Sequence, residues 1–223
     1  MNKPDPVLDS AARSECGKVR ARNEDAFLEA TGQRVWAVAD GMGGHHGGHI
    51  ASRLIVDTLA QLPAELPLEA RLVQLRQRLQ GLNRQLCLTL TQSQGQPPRI
   101  IGSTLVALLL QGEQGACCWA GDSRCYLWRG QRLYQLTHDH AHAHGLTRAI
   151  GACHPLRLEL LQWRVQPGDT YLLCSDGLYQ ALDSETLGQG LSQPTAATAL
   201  ACVFGHAMQG PATDNLTGVV VRT

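Results

Sequence analysis

Acidic residues beside apolar runs are the feature of this sequence with the clearest chemical meaning. Asp40 and Asp176 follow apolar runs, Asp122 follows a Trp-Ala-Gly sequence, and Asp214 precedes the apolar residues 216–222. A carboxylate at a strand end supplies a hard oxygen ligand, and a neighbouring glycine leaves a backbone carbonyl accessible as another. Any one of these aspartates alone is more simply explained as a turn residue. Four of them at one sheet edge would instead form an all-oxygen pocket that suits Mg²⁺ or Mn²⁺ better than Zn²⁺.

The elements that must position these carboxylates are predicted as short strands and a few helices. Runs rich in β-branched, aromatic and aliphatic residues, bounded by Gly, Asp or Gln, predict strands at 35–39, 103–110, 116–120, 125–129, 170–174 and 216–222. Apolar residues at helical spacing predict helices at 50–62, 68–90 and 195–208. Because the strands cluster without a regular βαβ alternation, the pattern favours an α+β layered sandwich.

The leucine series at 68–90 has two interpretations. Its alternating steps of three and four residues are compatible with a coiled-coil seam. The repeat barely reaches three heptads, so we favour a long helix that packs on a sheet.

Eight short motifs, in order along the chain, resemble the PPM family of metal-dependent, type 2C Ser/Thr protein phosphatases in its bacterial form. They are VRARNED (19–25), VADGMGGH (38–45), GST (102–104), AGDSR (120–124), LTHDH (136–140), LTRAIG (146–151), CSDGL (174–178) and TDNLT (213–217). Each motif is weak alone, but the ordered set is specific. The resemblance implies a four-layer α-β-β-α sandwich, with two central antiparallel β-sheets flanked by helices and a metal cleft at one edge.

The resemblance also implies roles for individual residues. Two Mn²⁺ or Mg²⁺ ions, with a weaker third, would be held by Glu24, Asp25, Asp40, Gly41, Asp122, Asp176 and Asp214. Asp40 would bridge the two core ions, and Asp122 would share the third with Asp176. Arg20 would bind the substrate phosphate, where its planar fork can pair with two oxygens. Arg20, Asp40 and Asp176 are the expected catalytic residues, with Asn215 in support. The implied reaction is direct attack on phosphoserine or phosphothreonine by a hydroxide that bridges the two metals.

The sequence departs from the family pattern at two places. Met42 stands where many eukaryotic members have a histidine proposed as the general acid, so a metal-bound water or, as an alternative, His45 or His46 would protonate the leaving group. Between His140 and Leu146 only five residues replace a flap of a few dozen, which predicts a shortened flap at about 140–147 and a more open cleft.

Histidines at 138, 140, 142 and 144 alternate within this short segment. On a strand they would share one face and could bind Zn²⁺, Ni²⁺ or Cu²⁺. The simpler interpretation is a solvated polar turn that replaces the flap.

Three functions remain compatible with these residues. The main prediction is a protein Ser/Thr phosphatase that opposes a bacterial Ser/Thr kinase. The alternatives are a pseudophosphatase or phosphoprotein-binding regulator with the same fold, and a phosphatase of small phosphoesters. The run at 119–130 is also similar to phosphatases encoded with type VI secretion systems, which implies a forkhead-associated-domain protein and its cognate kinase as partners.

Composition excludes other classes of function. Lys+Arg and Asp+Glu number 19 each, so the chain lacks the basic field that nucleic-acid or membrane-surface binding requires. No apolar run is long enough for a membrane span, and residues 1–6 do not form a secretory signal. We therefore expect a cytoplasmic monomer, with a loose tail at 1–14, a single domain at 15–223 and no disulfide framework.

Overall fold

The computed structural model describes residues 8–43, 47–89, 101–143, 145–152 and 154–223. Two antiparallel sheets lie at its centre. Strands of the first sheet pair in the order β1 (Asp9–Glu15), β13 (Leu216–Arg222), β12 (Thr170–Cys174), β7 (Arg124–Arg129) and β8 (Arg132–Gln135). Strands of the second sheet pair in the order β11 (Glu159–Arg164), β6 (Gln114–Ala120), β5 (Leu105–Gln111), β3 (Val35–Met42) and β2 (Asp25–Ala30), and the short β4 (Gly102–Ser103) also pairs with β3.

Helices cover the outer face of each sheet. On the second sheet these are α1 (Gly48–Leu59) and α2 (Leu68–Thr89), and on the first sheet α4 (Ser184–Leu191) and α5 (Ala196–Gln209). A one-turn helix, α3 (Asp176–Tyr179), follows β12, and a small hairpin pairs β9 (Ala141–His142) with β10 (Gly145–Leu146). The four-layer α-β-β-α sandwich is therefore confirmed.

Alternating residues along the strands divide the core into three apolar layers. On β3, Val35 and Ala37 face α1 and α2, whereas Trp36 and Val38 face the other sheet. Burial of alternate residues on opposite faces follows from the two-residue period of a strand. Leu172 on β12 packs on the α4–α5 side in the same way.

The long leucine series is the clearest case of a helix laid on a sheet. Leu68, Leu72, Leu75, Leu79, Leu82 and Leu86 are all at most 8% exposed and join one cluster with residues of β3 and β5. This burial against a sheet supports the helix-on-sheet prediction rather than the coiled coil.

Two sequence expectations need correction. Residues 9–14 are not a loose tail, because they belong to β1, which pairs with β13 along its full length. The sequence patterns also missed β2, β11 and α4. The exposure of residues along β2 and β11 alternates irregularly, and α4 contains residues that are weak helix formers. No disulfide joins the cysteines of the described ranges to one another. None of the helices in those ranges combines the length and apolarity that a bilayer span needs.

Candidate active site

The predicted acidic residues meet at one edge of the sandwich, around a cavity of about 660 Å³. Asp40 reaches it from β3, Asp176 from the start of α3, Asp122 from the β6–β7 turn, and Asp214 from the segment before β13. The remaining wall includes Arg20, Ala21, Arg22, Glu24, Gly41, Thr104, Leu146 and Asn215. Of the predicted ligands, Asp25 does not line the cavity. It lies behind the wall, where it pairs in register with Asp40 across β2 and β3.

Strand pairing explains why these residues meet. Antiparallel β2 and β3 place Asp25 opposite Asp40, while β12 and β13 lie side by side in the facing sheet. Asp176 leaves the end of β12 and Asp214 enters the start of β13, so both fall at the same edge. Sheet pairing therefore gathers residues that are far apart in sequence.

The cavity is strongly acidic and its carboxylates affect one another. Burial raises the pKa of Asp40 well above its usual range, and the charges of Asp25, Asp176 and Asp122 raise it further. Burial, with a contribution from the Asp176 charge, also raises the pKa of Asp122 to about 6. The pKa of Asp176 is raised by burial and by the Asp214 charge. Such a group of buried like charges is stable as carboxylates only if cations neutralise it.

One buried oxygen gives a direct test of whether these residues suit a cation. Asp25 Oδ2 accepts a hydrogen bond of 2.8 Å from the Ser175 hydroxyl, but its Oδ1 is buried without a hydrogen-bond partner. Burial raises the pKa of Asp25 to about 6. A buried carboxylate oxygen without a donor is costly unless a cation satisfies it. The all-oxygen donor set fits Mg²⁺ or Mn²⁺.

The carboxylates are gathered but do not form a closed shell. Within the described ranges, no group of three or more His, Cys, Asp or Glu side chains has the arrangement of a preformed metal site. Asp214 shows one reason, because its Oδ2 accepts a 2.6 Å hydrogen bond from Arg20 Nη2 and its Oδ1 accepts one from the Asn215 backbone N–H. A cation at this position would share Asp214 with the guanidinium.

Arg20 lies on the rim of the cavity. Its side chain is 56% exposed, and its hydrogen bond to Asp214 raises its pKa, so it stays charged. Arg22 lines the same cavity from two residues further along. The rim therefore presents guanidinium groups directly beside the acidic interior.

Asn215 fixes the loop that carries Arg20. Its side-chain Nδ2 donates to the backbone carbonyls of Cys16 and Arg22, at 3.0 and 3.1 Å, and its Oδ1 accepts from the Glu24 N–H at 2.9 Å. Asn215 is only 6% exposed, so these bonds are shielded from water. Asn215 therefore holds both ends of segment 16–24.

Gly41 is required by close backbone packing. A β-carbon at this position would collide with the backbone oxygens of Gly48 and Glu24. Its N–H donates to the Glu24 carbonyl at 3.2 Å, which ties β3 to the start of β2. Only glycine therefore fits at position 41, independently of whether the Gly41 carbonyl binds a cation.

Two hydroxyl residues near the carboxylates were missed as functional residues. Thr104 Oγ1 accepts from the Asp40 N–H at 3.1 Å and lies 2.7 Å from the Ser123 hydroxyl, so it links the Asp40 and Asp122 segments. Ser175 orients Asp25 and also accepts from the Thr217 N–H at 3.0 Å. Both lie inside the family-like motifs, and Ser175 directly precedes Asp176; their place in these motifs was the available signal.

The candidate histidines differ in whether the structure describes them and in how exposed they are. His45, His46 and His144 lie outside the described residues. His138 and His142 are exposed, but His140 is buried at 6% exposure, so these three do not share one face. The shared-face metal site is therefore wrong for the described histidines, and the solvated turn is wrong for His140. The shortened flap corresponds to the β9–β10 hairpin, from which Leu146 reaches the cavity wall.

Comparison with known proteins shows to which family this chain belongs. A family model described as Protein phosphatase 2C matches residues 14–209. This chain belongs to the protein phosphatase 2C family. Among solved structures, it is similar to "PppA, a key regulatory component of T6SS in Pseudomonas aeruginosa", at 39% identity and a TM-score of 0.91, with 98% of each chain covered. It is also similar to the catalytic domain of the Ser/Thr phosphatase PstP in complex with two manganese ions, at 34% identity and a TM-score of 0.84, covering 97% of this chain and 98% of that one.

Curated relatives place the protein phosphatase 2C domain in two contexts. The chain is 35% identical to PstP of Mycobacterium tuberculosis over 96% of its own length, but it spans only 45% of that relative. It is 31% identical to the Ser/Thr phosphatase Stp of Listeria welshimeri, with 94% of both chains covered. The family therefore includes proteins of this size as well as longer ones.

Proposed function

We propose that this chain is a metal-dependent protein Ser/Thr phosphatase that uses Mn²⁺ or Mg²⁺. The observation that supports the proposal best is the cavity itself, where buried carboxylates without enough counter-charge lie beside an exposed Arg20. Bound cations would neutralise the interior, and Arg20 would present its guanidinium to a phosphate group at the rim. Family membership and the manganese complex of a similar catalytic domain support the same conclusion.

The protein's own groups have separate tasks in this proposal. Asp40, Asp176 and Asp214, with Glu24, Asp25 and Asp122 around them, would hold the cations, which supply Lewis acidity and an acidified water when bound. Arg20 binds the phosphoryl oxygens and stabilises the charge that develops on them. Asn215 keeps Arg20 and Glu24 at a fixed distance from Asp214. The cavity's openness to solvent at the Arg20 side allows a phosphorylated peptide to approach.

Hydrolysis of p-nitrophenyl phosphate and of a phosphothreonine peptide tests this proposal. We expect turnover with Mn²⁺ or Mg²⁺, none with EDTA, and a loss of roughly a thousandfold or more in kcat for Asp40→Asn, since residues that form the site act as a unit. Arg164→Gln, which changes an exposed ion pair far from the cavity, is the matched control and should retain activity. Folded, metal-loaded protein that hydrolyses neither substrate would favour the non-hydrolytic phosphoprotein-binding alternative.

Similarity to PppA supports a finer assignment to a type VI secretion setting. We propose that the chain acts as a monomeric, cytoplasmic single-domain phosphatase over 15–223. Its substrate would be a forkhead-associated-domain protein phosphorylated by a Ser/Thr kinase within a type VI secretion system. The similarity at 39% identity over nearly the whole chain supports this setting. A phosphorylated forkhead-associated-domain protein should be a better substrate, by kcat/KM, than p-nitrophenyl phosphate or an unrelated phosphopeptide. Equal values for all three would argue for a phosphatase of small esters.

A further inference from the structure

His140 is the one described histidine of the 138–144 run that is built into the fold. It is 6% exposed, and its ring stacks on Trp119 with centroids 6.0 Å apart and planes 8° from parallel. On its far side, Nε2 lies 3.1 Å from Arg148 Nη1 and 3.4 Å from Glu159 Oε2 on the edge strand β11, and Arg148 Nη1 also donates to Oε1 of the same carboxylate at 2.9 Å. The imidazole therefore cannot rotate freely.

This fixed residue holds both peptide planes that flank Gly121. The Gly121 N–H donates to His140 Nδ1 at 3.2 Å, and the His140 backbone N–H donates to the Gly121 carbonyl at 2.9 Å. Nδ1 accepts from the Gly121 N–H and so carries no proton, which leaves the proton of the neutral imidazole on Nε2, beside Glu159 Oε2 and Arg148 Nη1. Burial lowers the pKa of His140, which agrees with this neutral form.

Gly121 is the residue immediately before Asp122. Because glycine is conformationally permissive, its backbone offers little resistance of its own to displacement. Its φ of +114° is a conformation that side chains disfavour, and a β-carbon there would lie 2.6 Å from the Thr104 side chain. The direction of the Asp122 carboxylate follows from how these peptide planes are held. His140 is thus connected to Asp122 through two hydrogen bonds and one peptide unit.

The same residue also closes the shortened flap. The His140 carbonyl accepts from the Thr147 N–H at 2.7 Å, directly across the base of the β9–β10 hairpin. That hairpin brings Leu146 to the cavity wall. One buried residue therefore joins the edge strand and the Asp122 turn through its side chain and the hairpin through its backbone carbonyl.

We propose that His140 is a positioning residue that orients Asp122 and so sets how tightly a cation is retained on the Asp122–Asp176 side of the cavity. The inference rests on the proposed phosphatase function only for its kinetic readout. Partners that orient metal ligands without touching the metal typically affect metal affinity by about 10–100-fold. The effect should appear in metal dependence rather than in kcat at saturating metal.

Two substitutions separate positioning from simple packing. His140→Asn places an amide oxygen where Nδ1 lies, so it can still accept from Gly121, although it loses the stacking on Trp119. His140→Gln places its amide near the position of Nε2 and leaves the Gly121 N–H without an acceptor. We expect the Mn²⁺ concentration for half-maximal activity to rise about tenfold in His140→Gln and to return to within about threefold of wild type in His140→Asn. His138→Ala, an exposed member of the same run, is the control and should match wild type.

Two readouts do not depend on activity. In EDTA, amide hydrogen exchange at Gly121 should be faster in His140→Gln than in His140→Asn, with the amide of Leu172 in the core unchanged. Calorimetric titration with Mn²⁺ should show the weakest binding step lost or weakened only in His140→Gln. Equal behaviour of the two variants in both measurements would overturn the proposal.

A third variant keeps the test valid if His140→Gln does not fold. Glu159→Ala changes a surface residue that is 39% exposed and removes the acceptor for Nε2–H. It should shift the Mn²⁺ dependence in the same direction, by about threefold, and no shift would count against the proposal. Wild-type protein without hydrolytic activity would refute the proposed function, while exchange and calorimetry would still decide the role of His140.

Discussion

Two regions of this molecule bury carboxylates, and they do so in opposite ways. Asp169, 1% exposed at the start of β12, has both oxygens satisfied: Arg129 binds them at 2.7 and 2.6 Å, and the Tyr171 hydroxyl and the Gln166 N–H donate to Oδ2. At the cavity, Asp25 has an oxygen with no partner, and its pKa and that of Asp40 are raised. The protein itself completes the first region but leaves the second dependent on a cation.

The comparison shows how burial of charge distinguishes structural from functional residues. A buried carboxylate with a bidentate arginine and two further donors stabilises the junction between β11 and β12. A group of buried carboxylates that repel each other costs stability, and such sites persist where function requires them. Asp169 and Asp25 both have buried carboxylate oxygens, but hydrogen-bond satisfaction separates them, since only Asp25 has an oxygen without a partner.

Replacing one aspartate in each region should change stability in opposite directions, and this is the largest effect we expect. Asp169→Asn leaves Arg129 without its counter-charge and should lower the free energy of unfolding by about 3 kcal/mol, both in EDTA and with Mn²⁺. Asp40→Asn removes a buried charge that its neighbours repel, so it should raise the melting temperature in EDTA and reduce the stabilisation by Mn²⁺. Thermal melts with and without Mn²⁺ measure both.

The comparison would fail if the two variants shifted in the same direction. Asp57→Asn is the control, because Asp57 belongs to an exposed ion pair with Arg53 and should change stability by less than about 0.5 kcal/mol.

The two arginines on the cavity rim extend the comparison to substrate binding, with a smaller effect. Arg20→Ala removes the charged hydrogen-bonding group to which the proposed function assigns phosphate binding, and it should lower kcat/KM for a phosphothreonine peptide by roughly 10–100-fold. Arg20→Lys keeps the charge but not the fork, and it should recover only part of this loss. Arg22→Ala, on the same rim, should cost less than about threefold if Arg20 is the residue that binds phosphate. Equal losses in the two alanine variants would show that the rim attracts phosphate only by its general charge.

Whether a strand could be predicted from the sequence depended on how far apart in the chain its stabilising contacts lie. Apolar runs such as Thr170–Cys174 predicted their strands, since a buried strand is apolar along its whole length. Strand β1 was missed because its residues, Asp9–Glu15, are mostly polar and half-buried, and only pairing with β13 at the other end of the chain makes them a strand. Edge strands of this kind depend on tertiary contacts that a local pattern does not contain.

The site shows the same limit at the level of single residues. Its acidic residues were predicted because each stands at a strand end within a family-like motif. The ion pair between Arg20 and Asp214 joins residues 194 apart, and the bonds from His140 to Gly121 cross 19 residues, so neither follows from spacing. The sequence indicated which residue types are present, but only the folded chain shows which of them hold one another in place.

The pH dependence of stability offers the smallest but most specific test of the contrast between the two regions. Burial raises the pKa values of Asp25 and Asp122 to about 6, above the value of about 3.9 for an unfolded aspartate. Between about pH 4 and pH 6 the folded protein therefore binds more protons than the unfolded chain, so stability must fall as the pH rises through this window. In EDTA we expect the melting temperature to drop by a few degrees from pH 5.5 to pH 6.5, the shift that about 1 kcal/mol causes in a chain of this size. Saturating Mn²⁺ should oppose the drop in melting temperature at the upper end of this pH range, because cations bind the deprotonated carboxylates.

Asp25→Asn should flatten the dependence of the melting temperature on pH in EDTA, and the control Asp57→Asn should not. A melting temperature that rises with pH in EDTA would contradict the view that these carboxylates lack counter-charge.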